Sequence, residues 1–520
     1  MVMQFEIFKK INGNLIASLV FTTVFIILLF TFNLNHTFFE PPQSVHIWRQ
    51  TNSLSLTLNY YQYDLPFFAP EMHNQFCDLG NSGMAVGEFP IIYYAVAKLW
   101  KITGPQEWLF RLVQTLILFA GLWCLFQVLY NLFKNWFWAG FTSLLLFTAP
   151  MLVFYGPNFL PDGPSLGFVF IAWYFIMKFI KKRNMGSLWL SALFFSLSIL
   201  LKITSGLSFI AFGGWIIYEL LFQKKEKRLF SFQLKHFIPF FAVVIVVAAW
   251  YLYVKYYNNL HHGHFSYHGI WPVWKMTQEQ YLRIIDALNK IYFKELFLPF
   301  TQYITFAIWV FLLITIKRLK PVFRFFFLVM TTGFVMQLLL WFQVLEGHDY
   351  YTINLLATFV AVWAILFFQI RNWKYFANPV FYFIGIAFFS WNVFTCKGRI
   401  HVRYNSWMND MYTKQFASLK EIEPFFKQIG LGPEDKVISL PDFTINGSLY
   451  FMNRKGYTQF GSDFSKEEGF YNRINNGAKY LVVNDTTILH NPEIQPFIMK
   501  KLGEFKNIWV YDLREIQLAE

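Results

Sequence analysis

Two short stretches of the chain combine side chains that can move protons and hold anions. His46-Ile47-Trp48-Arg49-Gln50 and Gly87-Glu88-Phe89-Pro90 both fall in the longest polar interruption of the N-terminal half, roughly residues 33 to 106. A neutral imidazole accepts a proton near neutral pH and is a common general base, worth about 10² to 10⁴ in rate where it acts. A guanidinium presents a fork of donors that matches phosphate oxygens, so Arg49 is the candidate anion ligand, with Trp48 and Gln50 beside it. Glu88 can bind a hydroxyl, a metal or an acceptor, or it can simply favour the N-terminus of the aromatic-rich helix expected over Ile91 to Trp100. His46 and Trp48 likewise have a plainer reading, as amphipathic rings of an interfacial belt.

Further along lie Pro161-Asp162, Lys202 and His348-Asp349-Tyr350-Tyr351, each at the edge of an apolar run. Asp162 is placed to act as a catalytic carboxylate or to cap a helix. Lys202 offers a point charge for phosphate, or a helix end whose side chain snorkels outward. Four hydrogen-bonding side chains in succession at residues 348 to 351 suit sugar or acceptor binding; a tyrosine belt would account for Tyr350 and Tyr351 but not for His348 and Asp349. His261, His262, His264 and His268 with Trp271 and Trp274 form one more cluster, which reads as a divalent-metal site or as a solvated interfacial loop.

The elements that position these residues follow from composition. The chain is 56% hydrophobic, 22% aromatic and only 14% charged. Its apolar runs repeatedly reach the roughly 20 residues needed to cross a bilayer. The expected fold class is therefore an α-helical polytopic membrane protein of about eleven spans. These lie near 15–33, 108–132, 136–154, 161–180, 186–201, 204–222, 237–257, 299–316, 324–345, 352–370 and 376–395. The net charge of +14 raises the question of nucleic acid, but the excess lies in short loops, where topology explains it and no nucleic-acid partner is implied. Cys77, Cys124 and Cys396 fit no metal spacing and no disulfide framework.

Lysine and arginine mark alternate loops: Lys9 and Lys10; Lys134; Lys181, Lys182 and Arg183; Lys224, Lys225, Lys227 and Arg228; Lys317, Arg318, Lys320 and Arg324; Arg371 and Lys374. The positive-inside rule then sets the N-terminus in the cytoplasm and the C-terminus outside. The outer side receives the 33–106 and 258–298 loops and nearly every unusual polar residue. Span interiors hold almost no ionisable groups and no internal repeat is visible, which argues against an ion-coupled transporter. After Cys396 the pattern changes. A helix is expected from about Tyr412 to Ile429, stopped by Gly430 and Pro433, and strands at Lys436 to Leu440, Ser448 to Met452, Lys479 to Val483 and Ile508 to Asp512. This makes two domains, a membrane domain over 1–396 and a small extracytoplasmic α/β domain over 397–520.

The first outer loop with its polar motif, Pro161-Asp162, His348-Asp349-Tyr350-Tyr351 and the C-terminal domain together resemble the GT-C membrane glycosyltransferases. The likeness is to glycosyltransferase family 39, relatives of the protein O-mannosyltransferases and of the aminoarabinose transferase. The resemblance implies an inverting enzyme of the cell inner (cytoplasmic) membrane. Its partners would be a polyprenyl-phosphate-linked sugar donor, membrane lipids and a glycan, lipid or protein acceptor. The family typically carries an Asp-Glu pair three residues ahead of an Arg. Here that place before Arg49 is His46, and no Asp or Glu lies between Glu40 and Asp64. His46 is then the expected substitute base. A transporter or flippase of a lipid-linked sugar, and a scaffold whose tail binds a partner, are the other readings.

Overall fold

A computed structural model of the chain describes residues 2–224, 228, 233–263 and 269–516. His264, His268, Lys225 and Lys227 lie outside the described residues. Among those described, eight helices are long and apolar enough to cross a membrane: Asn14–Thr31, Glu107–Phe133, Asp162–Lys182, Ile203–Phe222, Ile238–Leu260, Pro321–Leu340, Asp349–Ile370 and Pro379–Asn405. Gln278–Leu296 and Pro299–Ile314 form a further pair, bent by 92°. The protein is a multi-pass membrane protein.

The remaining two expected spans are shorter helices, and local chemistry explains why. The run expected over 136–154 breaks after Thr148, because Pro150 has no N–H to continue the ladder and instead opens a new helix, Pro150–Tyr155. Met185–Leu201 ends where Lys202 adopts an extended backbone, φ −154° and ψ 112°. The expected helix over Thr277 to Phe297 begins with a complete capping box, in which Thr277 and Gln280 satisfy each other's backbone N–H groups.

Contacts divide the chain into two compact units. The first comprises residues 1–39, 111–249 and 270–401, the second 40–110, 250–269 and 402–520. In the first unit Glu107–Phe133, Asp162–Lys182 and Asp349–Ile370 are mostly buried, whereas Pro321–Leu340 and Pro379–Asn405 expose most of their length. Large apolar side chains such as Val380, Phe383 and Phe394 are exposed, as expected of a surface solvated by lipid. Close packing at the centre needs small residues. A Cβ on Gly121 would lie 2.4 Å from the Cα of Gly167, so these two glycines set how near their helices approach.

The second unit is built around a five-stranded sheet: β1 (Lys436–Leu440), β2 (Gly456–Tyr457), β3 (Ala478–Val483), β4 (Lys501–Phe505) and β5 (Ile508–Asp512), in the order β2-β1-β3-β5-β4. β1 pairs in parallel with β2 and β3, while β5 runs antiparallel to β3 and β4. The strand expected at Ser448 to Met452 is instead a helix, Gly447–Phe451. Asp442 accepts the N–H groups of Thr444 and Ser448, and Thr444 Oγ1 accepts that of Gly447, so side chains take the backbone bonds a strand would need. A parallel β1–β2 pair also requires a crossover between its strands. The expected helix over 412–429 begins as irregular turns and becomes regular only at Glu423–Gln428; Gly430, at φ +76°, ends it.

The first loop is part of this unit. Gln75 N–H donates to Gly456 O at 2.8 Å and Gly456 N–H to His73 O at 3.0 Å, so the loop covers the edge strand β2. His73 fastens it. Ser55 Oγ lies 2.8 Å from His73 Nδ1 and accepts the His73 backbone N–H at 2.9 Å, and His73 Nε2 lies 3.3 Å from Asn453 Oδ1. An amide oxygen only accepts, so Nε2 carries the proton and Nδ1 accepts from Ser55.

Burial lowers the pKa of His73 from 6.5 to about 4. Between those values the unfolded chain binds a proton that the folded one refuses, so stability falls as pH drops through this window, by up to roughly 3 kcal/mol. The hydrogen-exchange protection of the 72–75 backbone, taken relative to the intrinsic rate at each pH, should fall below pH 6.5 in the native chain. The His73→Gln variant should lose that pH dependence.

Candidate functional site

In the second unit, the candidate residues are arranged by one helix, Ile47–Tyr63, and the turn that enters it. Ser44 and His46 both have left-handed backbones, φ 65° and 56°, uncommon for residues with side chains and a frequent mark of functional segments. The turn is held by amides. Gln50 Nε2 donates to Gln43 O at 2.7 Å and Val45 O at 3.0 Å, and Gln50 Oε1 accepts Gln43 N–H at 3.2 Å. Asn409 adds two bonds, accepting Ser44 N–H at 2.9 Å and donating to Gln43 Oε1 at 3.1 Å. Gln50, expected to touch substrate, is completely buried and its amide is spent on shaping the turn.

Trp48 points its indole N–H at His46 Nδ1, 3.2 Å away. An indole only donates, so Nδ1 is the acceptor, and the neutral imidazole then carries its proton on Nε2. His46 is thereby presented as a donor, its basic nitrogen already engaged. The neighbouring Arg49 is buried and forms an ion pair with Glu88, which is mostly buried too. Glu88 precedes the helix Ile91–Thr103, whose N-cap position is Pro90 and whose start has no side-chain cap; its carboxylate pairs with Arg49. Tyr93, one turn into the same helix, accepts a bond from Ser53 Oγ at 3.4 Å. Burial, and after it the Glu88 carboxylate, raise the Tyr93 phenol well above its ordinary range, leaving it a neutral donor beside the ion pair.

In the first unit, residues that are far apart in sequence meet. Lys202 Nζ lies 3.2 Å from Asp162 Oδ1, both nearly or fully buried, and stands over the rings of Tyr351 at 3.9 Å and Tyr350 at 5.0 Å. Tyr155 donates to Asp349, and its ring stands edge-on to that of Tyr350 at 5.8 Å. His348 packs against Tyr350 and Tyr351, with centroids 5.6 and 6.0 Å away. Asp162 does not cap the helix it opens. Five expected residues, Asp162, Lys202, Asp349, Tyr350 and Tyr351, thus share one buried cluster with His348 at its side.

Sequence reasoning missed Tyr155, and also a buried polar group at the start of Glu107–Phe133. Arg111 stacks on the Phe159 ring at 4.3 Å, and Gln114 Nε2 donates to Leu160 O at 3.1 Å. The available signal was the Gly156-Pro157-Asn158 break between helices, since non-helical backbone at membrane depth is tolerated only where protein surrounds it or it lines a cavity. Two apolar clefts also open on this unit. One of about 420 Å³ is lined by Phe25, Leu29, Phe38, Leu112, Leu116 and Phe119, and one of about 310 Å³ by Val20, Phe21, Phe126, Phe137, Phe141 and Phe389.

Among the described residues, no three of His, Cys, Asp and Glu gather closely enough to hold a metal ion. His261 instead pairs through Nδ1 with the Asp78 carboxylate at 3.1 Å.

The family model of dolichyl-phosphate-mannose-protein mannosyltransferases, a family of glycosyltransferases, matches residues 88–253, a stretch that includes Glu88, Asp162 and Lys202. No curated protein matches the sequence. Among solved structures, the chain is similar to ArnT from Cupriavidus metallidurans in the apo state, with a TM-score of 0.57 and 13% identity over 97% of this chain and 98% of that one. The same protein bound to undecaprenyl phosphate matches with a TM-score of 0.57 and 12% identity over 96% and 99%. The archaeal oligosaccharyltransferase AglB from Archaeoglobus fulgidus, in complex with an inhibitory peptide and a dolichol-phosphate, gives 0.48 and 11% over 89% and 69%. The chain has the GT-C fold.

Removing one partner of a buried ion pair strands the other, at a cost of about 3 to 5 kcal/mol, whereas replacing both with apolar groups is often neutral. Lys202→Met should therefore lower the melting temperature of the detergent-solubilised protein more than Lys202→Met combined with Asp162→Leu.

Proposed function

We propose that the chain is an inverting glycosyltransferase that moves a sugar from a polyprenyl-phosphate carrier to an acceptor on the outer face of the cytoplasmic membrane. In this reading the N-terminus is cytoplasmic, residues 1–396 are the transferase domain and residues 397–520 stand outside. The observation that carries it is the likeness over nearly the full length of both chains to a protein solved with undecaprenyl phosphate. The buried ion pair of Arg49 and Glu88 supplies the chemistry.

The reaction asks little of the protein beyond charge placement. An acceptor hydroxyl oxygen attacks the anomeric carbon from the face opposite the phosphate. The bond from that carbon to the phosphate oxygen breaks, its electron pair leaves on the carrier phosphate, and the hydroxyl proton passes to a base. Glu88 is the proposed base, because a carboxylate keeps a lone pair for the proton while His46 has its basic nitrogen on Trp48. Arg49 holds Glu88 in place, and its charge favours the departing phosphate. His46 is a proposed substrate ligand. Gln50 acts as a positioning residue through the turn that carries His46. In the first unit Lys202 is a proposed phosphate ligand, His348, Asp349, Tyr350 and Tyr351 are proposed to bind sugar or acceptor, and the apolar clefts suit a polyprenyl chain.

Purified protein in vesicles, given a polyprenyl-phosphate sugar and an acceptor, should release carrier phosphate and glycosylated acceptor in equal amounts, with the anomeric configuration inverted. Arg49→Ala and Glu88→Gln should each lower transfer by about 10² to 10⁴, with His46→Ala less severe. Altered sidedness of the carrier without transfer would mean a flippase, and full activity in the Arg49 and Glu88 variants would remove the proposed site.

A further inference from the structure

The C-terminal sheet contains a feature that the transfer chemistry leaves unused. From β1 the chain passes through the helix Gly447–Phe451 to β2 on one side, then through Glu467–Asn475 to β3 on the other. The order of winding therefore reverses between β1 and β3. In open α/β sheets the crevice outside the carboxyl ends of strands at such a reversal is where ligands bind.

Asn484 is the residue after β3. Its backbone N–H donates to Leu440 O at 2.8 Å, which places it beside Pro441-Asp442-Phe443 at the carboxyl end of β1. It is completely buried, yet neither its side-chain oxygen nor its nitrogen has a hydrogen-bond partner. Ser439 is in register with Val482, two residues before Asn484, and its buried hydroxyl is unpartnered as well. The two-residue period of strands puts Ser439 and Asn484 on one face of the sheet. Buried polar groups are almost always satisfied, so two orphans together at a strand-end crevice point to a missing partner.

Phe443 is the opposite case, an aromatic ring 74% exposed in the loop that leaves β1. The loop that holds it out is braced by hydrogen bonds. Asp442 accepts N–H groups from Thr444 at 2.7 Å and Ser448 at 2.8 Å and the Ser448 hydroxyl at 2.6 Å, and Asn446 donates to Asn52 Oδ1 at 2.8 Å. Asn52 belongs to the helix that begins with Ile47, Trp48 and Arg49.

We propose that this edge is a saccharide-binding site. The apolar C–H face of a sugar ring lies on Phe443. Its hydroxyls, each both donor and acceptor, pair with the Asn484 amide and the Ser439 hydroxyl in place of the side chains that cover them in the unliganded chain. No net charge is required, which suits a neutral sugar. That the sugar is the acceptor of transfer rests on the function proposed above; the binding itself does not.

The test uses the full chain in lipid nanodiscs without donor, titrated with methyl glycosides of glucose, galactose and mannose and followed by saturation-transfer NMR. One of them should bind in the millimolar range. Phe443→Ala should weaken that binding about tenfold and Phe443→Trp should retain it, while Asn484→Leu should weaken it without lowering the melting temperature. In the transfer assay, Phe443→Ala should raise the acceptor KM and leave kcat in place. Absence of binding by all three glycosides overturns the site, as does binding indifferent to Phe443→Ala. Binding left intact in Asn484→Leu overturns it too. Because the binding arm contains no donor, a chain that binds sugar but transfers nothing sinks only the transferase reading.

Discussion

A charge withdrawn from water needs a counter-charge at hand, because the cost of leaving it alone in a low-dielectric interior exceeds what folding has to spare. In the second unit that requirement is met by Arg49 and Glu88, which tie the helix Ile47–Tyr63 to the segment leading into Ile91–Thr103. In the first unit it is met by Lys202 and Asp162, which tie the extended joint after Met185–Leu201 to the start of Asp162–Lys182. Each pair lies close in sequence to a backbone irregularity, the left-handed turn at His46 or the extended joint at Lys202, and polar side chains gather there.

The same constraint explains where polar groups are absent. Long helices that expose most of their length to lipid present Val, Ile, Leu and Phe, while the three mostly buried spans carry polar residues at or near their first turns: Arg111 and Gln114, Asp162, and Asp349. A carboxylate or guanidinium is tolerable there only because neighbouring helices supply rings and partners, such as Tyr155 for Asp349 and Phe159 for Arg111. Outside the spans, backbone amides are covered differently. The first loop uses its His73–Gln75 segment to pair with Gly456, so a loop and an edge strand that would each expose unpaired groups complete one another.

Much of the fold was legible because the signals were local. Runs of apolar residues mark helices by their length, Gly430 ends a helix because a left-handed position suits glycine, and short runs rich in β-branched and aromatic residues mark β1, β3 and β5. The strand expected at Ser448 to Met452 failed because its β-forming composition competes with Asp442 and Thr444, whose side chains bind the local backbone first. β4 was missed because Lys, Gly and Glu dilute its pattern, and only pairing with β5 makes it a strand.

The candidate site divides in the same way. Residue types and their place at span edges are properties of the sequence, and they named His46, Arg49, Glu88, Asp162, Lys202 and the 348–351 run. Which of them touch is a property of the tertiary structure, since an ion pair depends on distance through space and not along the chain. The sequence lacks an acid three residues before Arg49, and folding brings one from 39 residues away. It also decides that Gln50 shapes a turn and that Trp48 occupies the basic nitrogen of His46, because a hydrogen bond is set by a few tenths of an ångström that no spacing of letters encodes.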